Sequence, residues 1–370
     1  MKRVVVSVTN DLSTDQRVSK VCTSLVKMGF EVCLVGRKLA GSLPLNRSYE
    51  THRMRLMFIR GPLFYAEYNF RLFFFLLFRK TDLLVSNDLD TLLPNFLVHR
   101  LKGVALVYDS HEFYTETPEL VNRPRVQRIW ERIEGMIFPK LHDVFTVNES
   151  IARLYSEKYG ITPKVVRNIP ATFASDEPKS RAALGLPPDK YIVLMQGAGI
   201  NIQRGAEEAI EAIQLVDDAV LLIIGAGDVI GQLKQQAASP ALVDKVIFLP
   251  KMPYPELMQH TRAADIGLTL DKDTNINYRY SLPNKLFDYI HAGIPVLASR
   301  LPEVSRIVEG YDIGLVTDSH QPEILAGLIN TMLHDEASRS RWKDNLRTAA
   351  RELNWENEEN VLKSVYQKYV

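Results

Sequence analysis

The sequence Val4-Val-Val-Ser-Val8 decides the fold together with the two segments that follow it, Asp15–Met28 and Glu31–Val35. The first and last of these segments are short and rich in β-branched residues, which predicts two strands. The middle segment repeats apolar residues at helical spacing and ends before Gly29, a residue type that often terminates helices. A strand, a helix and a second strand in this order indicate a parallel sheet wound by helices.

The same alternation runs along the rest of the chain and restarts near its middle. The segment Ala171–Pro188 is rich in proline, serine and charged residues, and this composition predicts a linker. Further strands are predicted before the linker at Leu83–Ser86, Ala105–Tyr108 and Val144–Val147, and after it at Tyr191–Gln196, Ala219–Gly225, Val246–Leu249, Ile266–Leu270 and Pro295–Ala298.

Two such series in one chain predict two domains, because 370 residues exceed what one hydrophobic core usually supports. The predicted fold class is therefore α/β, with two Rossmann-like, doubly wound domains facing a cleft. We expect the first domain to span residues 1–170 and the second to span residues 171–355. A final helix, roughly residues 356–370, is expected to cross back onto the first domain.

The composition is that of an ordinary globular protein. The chain has 45 basic and 44 acidic residues, so it lacks the basic excess of nucleic-acid binders, and no nucleic acid is expected as a partner. Cys22 and Cys33 lie in apolar segments without ligand spacing, which indicates reduced packing residues and a cytoplasmic location. The apolar run after Met1 is too short for a signal peptide, so no export is expected.

Loops that follow strands carry the candidate sites, because ligands of open α/β sheets bind beyond the carboxyl ends of the strands. The loop Gln196–Gly205 follows a strand and opens a helix. Its small residues Gly197 and Gly199 would let a phosphate approach backbone N–H groups, and Arg204 adds a positive charge. The alternative is a flexible turn with a surface arginine.

A second candidate is the segment Tyr280–Asp288. Pro283 is expected to begin a helix whose first N–H groups point outward toward an anion. Lys285 on the first turn and Asp288 three residues later share one helix face, so a cation for phosphate and a carboxylate for ribose hydroxyls can serve one site. The alternative is a surface ion pair on an ordinary helix.

Two loops of the first domain offer further candidates. The segment Tyr108-Asp-Ser-His-Glu112 follows an apolar strand, and His111 is its best candidate, although a lone histidine is as often structural. The loop after the first strand offers Asp11 and Arg17. Asp15 in the same loop would serve equally well as a cap for the next helix.

Two familiar patterns are set aside. The glycines of Gly225-Ala-Gly227 and Gly231 resemble a dinucleotide fingerprint, but the last interval is one residue too long and no matching acidic residue follows. No NAD is therefore expected. The triplet Asp88-Leu-Asp90 has a spacing used by metal-dependent enzymes, but one such triplet without a metal cluster is close to chance. No metal is expected either.

A set of motifs covers essentially the whole chain. They are Asp15-Gln-Arg-Val18, Asn87-Asp-Leu-Asp-Thr-Leu92, Tyr108-Asp-Ser-His-Glu112, Arg204-Gly205, and Pro283-Asn-Lys-Leu-Phe-Asp-Tyr289 with Ala292-Gly-Ile-Pro-Val296. The last pair is the most specific. In these motifs the chain resembles the retaining glycosyltransferases of the GT-B type, specifically the large bacterial group called family 4.

The resemblance implies roles for particular residues. In that family a helix with an E-x7-E motif holds the nucleotide-sugar donor. The second acid of the motif, which binds the ribose, corresponds to Asp288. The first acid corresponds to Tyr280, which is not acidic. The implied catalytic residues are His111, beside the donor sugar, and Arg204 and Lys285, on the diphosphate. The implied donor-binding residues are Gly197, Gly199, Arg204, Ser281, Asn284, Lys285 and Asp288. The implied acceptor-side residues are Asp11, Arg17 and Glu112.

The resemblance also implies a metal-independent reaction that retains the anomeric configuration. A UDP-sugar or GDP-sugar would be the donor, as a substrate rather than a cofactor. The acceptor would be a saccharide or a lipid-linked saccharide of surface polysaccharide biosynthesis. Two alternatives stay open: a non-catalytic nucleotide-sugar-binding protein and a UDP-sugar epimerase of the GT-B type.

The segment Phe64–Lys80 is the most apolar of the chain, but its run Phe70–Phe78 is too short to span a bilayer. Two interpretations remain for it. It is either a core helix or a helix that rests on the inner face of a membrane carrying a lipid-linked acceptor. The second interpretation would make the membrane a peripheral partner of a cytoplasmic protein.

Overall fold

The computed structural model of the protein describes residues 1–13, 15–171 and 177–370, and within it the chain forms two compact units. Unit 1 comprises Met1–Asn168 and Asn357–Val370, and unit 2 comprises Ile169–Glu356. Residues 172–176 of the predicted linker lie outside the described residues.

Unit 1 is built on one parallel sheet. Its strands are β1 (Arg3–Asp11), β2 (Glu31–Arg37), β3 (Glu50–Met54), β4 (Leu83–Asn87), β5 (Ala105–Asp109), β6 (Asp143–Thr146) and β7 (Lys164–Val165). Its helices up to the linker are α1 (Gln16–Lys27), α2 (Gly61–Phe78), α3 (Leu89–Lys102), α4 (Pro118–Val121), α5 (Pro124–Ile137) and α6 (Glu149–Tyr159). The strand order is β3-β2-β1-β4-β5-β6-β7, so the winding reverses between β1 and β4.

Unit 2 repeats this plan. Its strands are β8 (Tyr191–Gly197), β9 (Ala219–Gly225), β10 (Val246–Leu249), β11 (Ile266–Thr269), β12 (Val296–Ser299) and β13 (Gly314–Thr317). The helices are α7 (Ala206–Gln214), α8 (Ile230–Ala237), α9 (Tyr254–Ala263), α10 (Ile276–Arg279), α11 (Asn284–Ala292), α12 (Pro302–Gly310), α13 (Pro322–His334) and α14 (Glu336–Glu352), and the chain closes with α15 (Trp355–Tyr366). The strand order β10-β9-β8-β11-β12-β13 reverses between β8 and β11. Both units are therefore doubly wound, as the sequence predicts.

All ten strands predicted from the sequence are present, and three further strands were not predicted. These three, β3, β7 and β13, are edge strands. β3 reads Glu-Thr-His-Arg-Met and is mostly exposed or half-buried, β7 has two residues, and β13 is largely half-buried. A strand buried on neither face has no reason to carry the aliphatic runs that identify the others.

Strand β8 of the unit 2 sheet sends side chains into two cores, one on each face. Along β8, Val193 and Met195 enter the first core, whereas Ile192 and Leu194 enter the second. This alternation is the two-residue period of a strand covered by helices on both sides. Doubly covered sheets expose their strand ends, and this leaves the loops there as the place for a site.

Residues of the final helix pack within unit 1. The carboxylate of Glu358 accepts hydrogen bonds from the backbone N (2.6 Å) and from Nε (2.9 Å) of Arg167. The ring of Tyr366 stacks on that of Phe145, with centroids 5.8 Å apart. These contacts tie residues near the end of the chain to strand β6 and to the segment just after β7.

Candidate functional site

The loop after β8 lies at the point where the strand order of unit 2 reverses. It follows Gly197, the last residue of β8, contains Gly199 and ends at Gly205, which precedes α7 and has φ +74°. A Cβ on Gly205 would lie 2.5 Å from the carbonyl oxygen of Leu270, the residue just after β11. Only glycine permits this backbone conformation and this approach together, and it brings the two strand-end loops into contact.

Gly225 and Gly227, which resemble a dinucleotide fingerprint, serve the packing of the same loop. A Cβ on Gly225 would lie 1.8 Å from the carbonyl oxygen of Gly197, and one on Gly227 would lie 1.9 Å from that of Ile200. Both positions need glycine because backbone meets backbone there. Their spacing in the sequence therefore has a structural explanation.

Two predicted cations of unit 2 meet at a carboxylate that the sequence analysis did not identify. Asp271 follows β11, is 1% exposed, and lies 3.4 Å from Nη1 of Arg204 and 3.7 Å from Nζ of Lys285. The Arg204 guanidinium also stands over the ring of Tyr278, 5.0 Å from its centroid. The structure thus brings Arg204 and Lys285 together, at the carboxyl ends of β8 and β11.

The Lys285 side chain is only 10% exposed. Burial lowers the pKa of its ammonium, as does the nearby charge of Arg204, while Asp271 opposes the shift. Among the described residues, Asp271 is the one carboxylate within 4.0 Å of this ammonium, and a contact of 3.7 Å compensates poorly for the water that the charge has lost. An anion that came closer than Asp271 would satisfy it better.

Asp288 is held by a buried hydrogen-bond network. Its Oδ1 accepts from the hydroxyl of Tyr254 at 2.7 Å, and its Oδ2 accepts from Nε2 of Gln196 at 2.9 Å. Gln196 in turn accepts from the hydroxyl of Thr261 at 2.7 Å. Asp288 is 8% exposed, so the alternative of a surface ion pair does not apply to it.

The start of α11 differs slightly from the prediction. Pro283 is the residue before the helix, and the helix begins at Asn284, which is exposed. The hydroxyl of Ser281 donates to the carbonyl oxygen of Tyr278 at 2.9 Å and so closes the turn after α10. Tyr280 ends α10 and is half-buried.

His111 of unit 1 lies between two carboxylates at neighbouring strand ends. Its Nδ1 is 3.2 Å from Oδ2 of Asp88, and its Nε2 is 3.5 Å from Oδ2 of Asp109. Asp88 follows β4 and Asp109 ends β5, two strands that pair directly. Burial opposes the positive charge of the imidazole, but the two carboxylates outweigh it and raise the pKa of His111 to about 10. The ring is therefore a fixed cation at neutral pH.

The triplet Asp88-Leu-Asp90 has a structural role that the sequence analysis missed. Asp88 has φ +56° and ψ 167°, a conformation that non-glycine residues rarely adopt, and its carboxylate accepts from the backbone N of His111 at 2.8 Å. Asp90 is 7% exposed, and burial followed by the charge of Asp88 raises its pKa to about 7. The strained backbone of Asp88 indicates this structural role, and it can be recognised only in the folded structure.

The predicted acceptor-side residues differ in their surroundings. Arg17 is 3% exposed and binds Asp109 through Nη2 at 2.6 Å and Nε at 3.2 Å, with a third bond to the carbonyl oxygen of Val166. Asp11 accepts from Arg53 at 3.1 Å, and Glu112 is half-buried. Arg17 therefore holds in place the carboxylate of Asp109, which lies beside His111.

Asp15, the remaining polar residue of this loop considered from the sequence, caps α1. Its Oδ1 accepts from the backbone N of Val18 at 3.0 Å. This geometry is the side-chain cap that the sequence left as one of two interpretations.

A cavity of about 290 Å³ lies elsewhere on unit 2, and it is not the candidate site. Its walls include the starts of β11 and β12, at Asp265 and Pro295, so it opens at the edge of the sheet opposite to Arg204 and Lys285. In the described ranges no cluster of three His, Cys, Asp or Glu side chains could hold a metal ion. Nor does any helix among the described residues have the length and apolarity to cross a bilayer.

Comparisons with known proteins agree with this architecture. The family model described as "Glycosyltransferase Family 4" matches residues 16–171, and "Glycosyl transferases group 1" matches residues 176–349. A D-inositol 3-phosphate glycosyltransferase of Acidothermus cellulolyticus is 27% identical over 58% of this chain and 50% of its own length. The chain thus spans about half the length of the curated relatives it matches first.

Two solved structures share the fold over almost the whole chain. Sucrose-phosphate synthase from Thermosynechococcus elongatus aligns over 100% of this chain and 99% of its own, with a TM-score of 0.81 and 18% identity. Anabaena HepE in complex with UDP aligns over 100% of both chains, with a TM-score of 0.72 and 16% identity. With two doubly wound units and both halves matched by their family models, the chain belongs to the GT-B glycosyltransferases of family 4.

Proposed function

We propose that this protein is a retaining, metal-independent glycosyltransferase that moves a sugar from a nucleoside-diphosphate sugar to a saccharide or lipid-linked saccharide of surface polysaccharide biosynthesis. The observation that carries the proposal is the pair Arg204 and Lys285, which share the buried carboxylate of Asp271 at the strand ends of unit 2. Two cations on one carboxylate leave a surplus positive charge where a diphosphate would bind. UDP is the proposed nucleotide and GDP the next candidate.

The donor would bind through its diphosphate and its ribose. The loop of Gly197 and Gly199 lets phosphate oxygens approach backbone N–H groups, and the two cations neutralise the diphosphate. Asp288 lies on the same helix as Lys285 and would accept hydrogen bonds from ribose hydroxyls. Its carboxylate is already oriented by Tyr254 and Gln196, so little ordering is needed on binding.

The leaving diphosphate gains negative charge as the bond to the sugar breaks. Arg204 and Lys285 would stabilise that charge, because cations held beside the leaving group lower the energy of the transition state. His111 would act as a second fixed cation and hydrogen-bond donor beside the sugar. Its Nε2 is buried and makes no hydrogen bond within the described residues, since Asp109 is 3.5 Å away and already bound by Arg17.

Proton acceptance by His111 is not part of this mechanism, because an imidazole with a pKa of about 10 already carries its proton at neutral pH. The acceptor hydroxyl would instead give its proton to an oxygen of the leaving diphosphate, on the same face of the sugar. Such a step retains the anomeric configuration without a carboxylate nucleophile. Asp11 and Glu112 are the proposed acceptor contacts, and Arg17 is a positioning residue.

Turnover of a donor panel tests the proposal. The protein is incubated with UDP-, GDP- and ADP-sugars, with and without acceptor extracts, and released nucleoside diphosphate is measured. Acceptor-dependent release supports the glycosyltransferase. Binding of the nucleotide sugar without any release would favour the non-catalytic binding protein, and conversion of the sugar without transfer would favour the epimerase.

A further inference from the structure

Helix α2 is apolar on two opposite sides. One side, formed by Phe64, Tyr68, Leu72 and Leu76, is at most 4% exposed and packs inside unit 1. The other carries Leu63, Phe70, Phe74 and Phe78, which are exposed by 57%, 67%, 39% and 81%. The buried set repeats every four residues, and the exposed set does so after one step of seven, so each forms a stripe along the helix. The core-helix interpretation therefore explains only half of the apolar residues.

The exposed stripe is continuous along its C-terminal half. The rings of Phe70 and Phe74 lie 4.9 Å apart, and those of Phe74 and Phe78 stack at 6.1 Å. Adjacent aromatic rings that face solvent are costly for a soluble protein, because each large apolar side chain gains free energy when it leaves water. The stripe therefore calls for an apolar partner.

A second apolar element is fixed beside the helix. Met57, Phe58 and Ile59, in the segment before α2, are exposed by 76%, 40% and 59%. The carboxylate of Glu67 on α2 accepts hydrogen bonds from the backbone N of Met57 (2.9 Å) and of Phe58 (3.0 Å). This anchor holds the segment against α2. We call the stripe and these three residues the apolar surface of unit 1.

Cations surround the apolar surface. Residues 51–81 contain six arginines and lysines, of which Arg53 and Arg79 are paired with Asp11 and Glu50, and one acidic residue, Glu67. Glu67 is paired with Arg71 at 2.7 Å. Arg55, Arg60 and Lys80 are exposed, and among the described residues no carboxylate lies within 4.0 Å of their charged groups. An apolar surface edged by unpaired cations matches an anionic lipid bilayer, whose headgroups attract arginine and lysine and whose acyl boundary accepts phenylalanine.

We propose that the apolar surface of unit 1 docks the protein on an anionic membrane, with Phe70, Phe74 and Phe78 entering the headgroup region and Arg55, Arg60 and Lys80 binding lipid phosphates. The proposal goes beyond the function proposed above and concerns a different part of the chain. It would place the enzyme where a lipid-linked acceptor is found.

Sedimentation with vesicles tests the proposal without donor, acceptor or turnover, so its outcome is independent of the proposed transferase activity. Wild-type protein is expected to bind vesicles of phosphatidylcholine mixed with phosphatidylglycerol, and to bind phosphatidylcholine alone at least tenfold more weakly. The triple variant Phe70→Ser/Phe74→Ser/Phe78→Ser should lose at least tenfold in binding at every salt concentration. The variant Arg55→Gln/Arg60→Gln/Lys80→Gln should lose as much at low salt and less at high salt.

A matched control replaces three exposed apolar residues of unit 2, Leu215→Ser/Val243→Ser/Ile324→Ser, and should bind vesicles like the wild type. All variants should keep the wild-type unfolding transition in urea, which would show that they are folded. Equal vesicle binding by the wild type and the phenylalanine variant would overturn the proposal. So would a concentration-dependent dimer that the phenylalanine variant abolishes, because a second copy of the chain would then be the partner.

Discussion

Asp288 is a buried carboxylate whose two oxygens already accept hydrogen bonds, and we expect nucleotide affinity to depend on its charge. Asp288→Asn would point an amide N–H at one of those donors and remove the charge from the ribose position. We expect the affinity for UDP, measured by isothermal titration calorimetry, to fall roughly tenfold or more. Tyr254→Phe removes one donor and keeps the carboxylate, so it should have a smaller effect. Unchanged affinity in Asp288→Asn would mean that the ribose binds elsewhere.

Asp271 competes with a diphosphate for the same two cations. Asp271→Asn should therefore tighten UDP binding roughly tenfold, because the ligand no longer displaces a charged partner. The pKa of Lys285 would fall further in this variant, since Asp271 raises it, so the two proteins are compared at a series of pH values. Asp273→Asn is the control, as Asp273 is exposed and paired with Arg279 in the same loop. Weaker UDP binding in Asp271→Asn would instead assign Asp271 to orienting the cations.

His111 predicts a pH dependence of stability. Its pKa is raised in the folded protein from an ordinary value of 6.5 to about 10, so its charge stabilises the fold fully below pH 6.5. That contribution is lost as the pH rises from 6.5 through about 10. The difference in free energy of unfolding between the wild type and His111→Gln should be constant below this window and shrink across it. Urea unfolding at a series of pH values measures it, and a difference independent of pH would contradict the raised pKa.

At the scale of elements, α15 is held in part by the pair of Glu358 and Arg167. Glu358 is 3% exposed and binds Arg167 through side chain and backbone, so Glu358→Ala leaves Arg167 without its partner. We expect a loss of about 2 kcal/mol in the free energy of unfolding, measured in urea. Asn360→Ala on the exposed side of the same helix should change it little. Equal effects of the two changes would show that the pair does not hold the helix.

Sequence reasoning finds the helices and strands whose local residue pattern matches the role of those residues in the folded protein. Nine of the ten predicted strands lie inside a sheet and carry aliphatic runs, as does the edge strand β10, whereas β3 and β7 have no such run and that of β13 is short. Asp15 and Gly29 mark the ends of α1 because caps are local. Asp271 and Asp88 carry no local signal, because their importance comes from strand ends that are distant in sequence. Exposure of one side of α2 is likewise set by tertiary packing.

Across the whole molecule, the predicted roles divide between the two units. The cations and Asp288 lie in unit 2, and the His111 cluster lies in unit 1. If unit 2 alone binds the nucleotide, His111→Gln should leave UDP affinity within about twofold of the wild type while turnover falls about 100-fold. Calorimetry and single-turnover kinetics on the same preparation separate the two effects. A parallel loss of affinity and turnover would show that His111 contributes to nucleotide binding rather than to the chemical step.

The carboxylate of Asp271 has a consequence for selectivity among anions. Because it is tethered beside Arg204 and Lys285, it acts as a competitor at a high effective concentration, which no dilution lowers. A ligand that offers only negative charge, such as inorganic phosphate, must displace the Asp271 carboxylate and makes no further contact that would strengthen its binding. A nucleoside diphosphate also brings a ribose to Asp288, a contact that inorganic phosphate cannot make. The site would thus stay closed to abundant simple anions and admit those that carry a nucleoside.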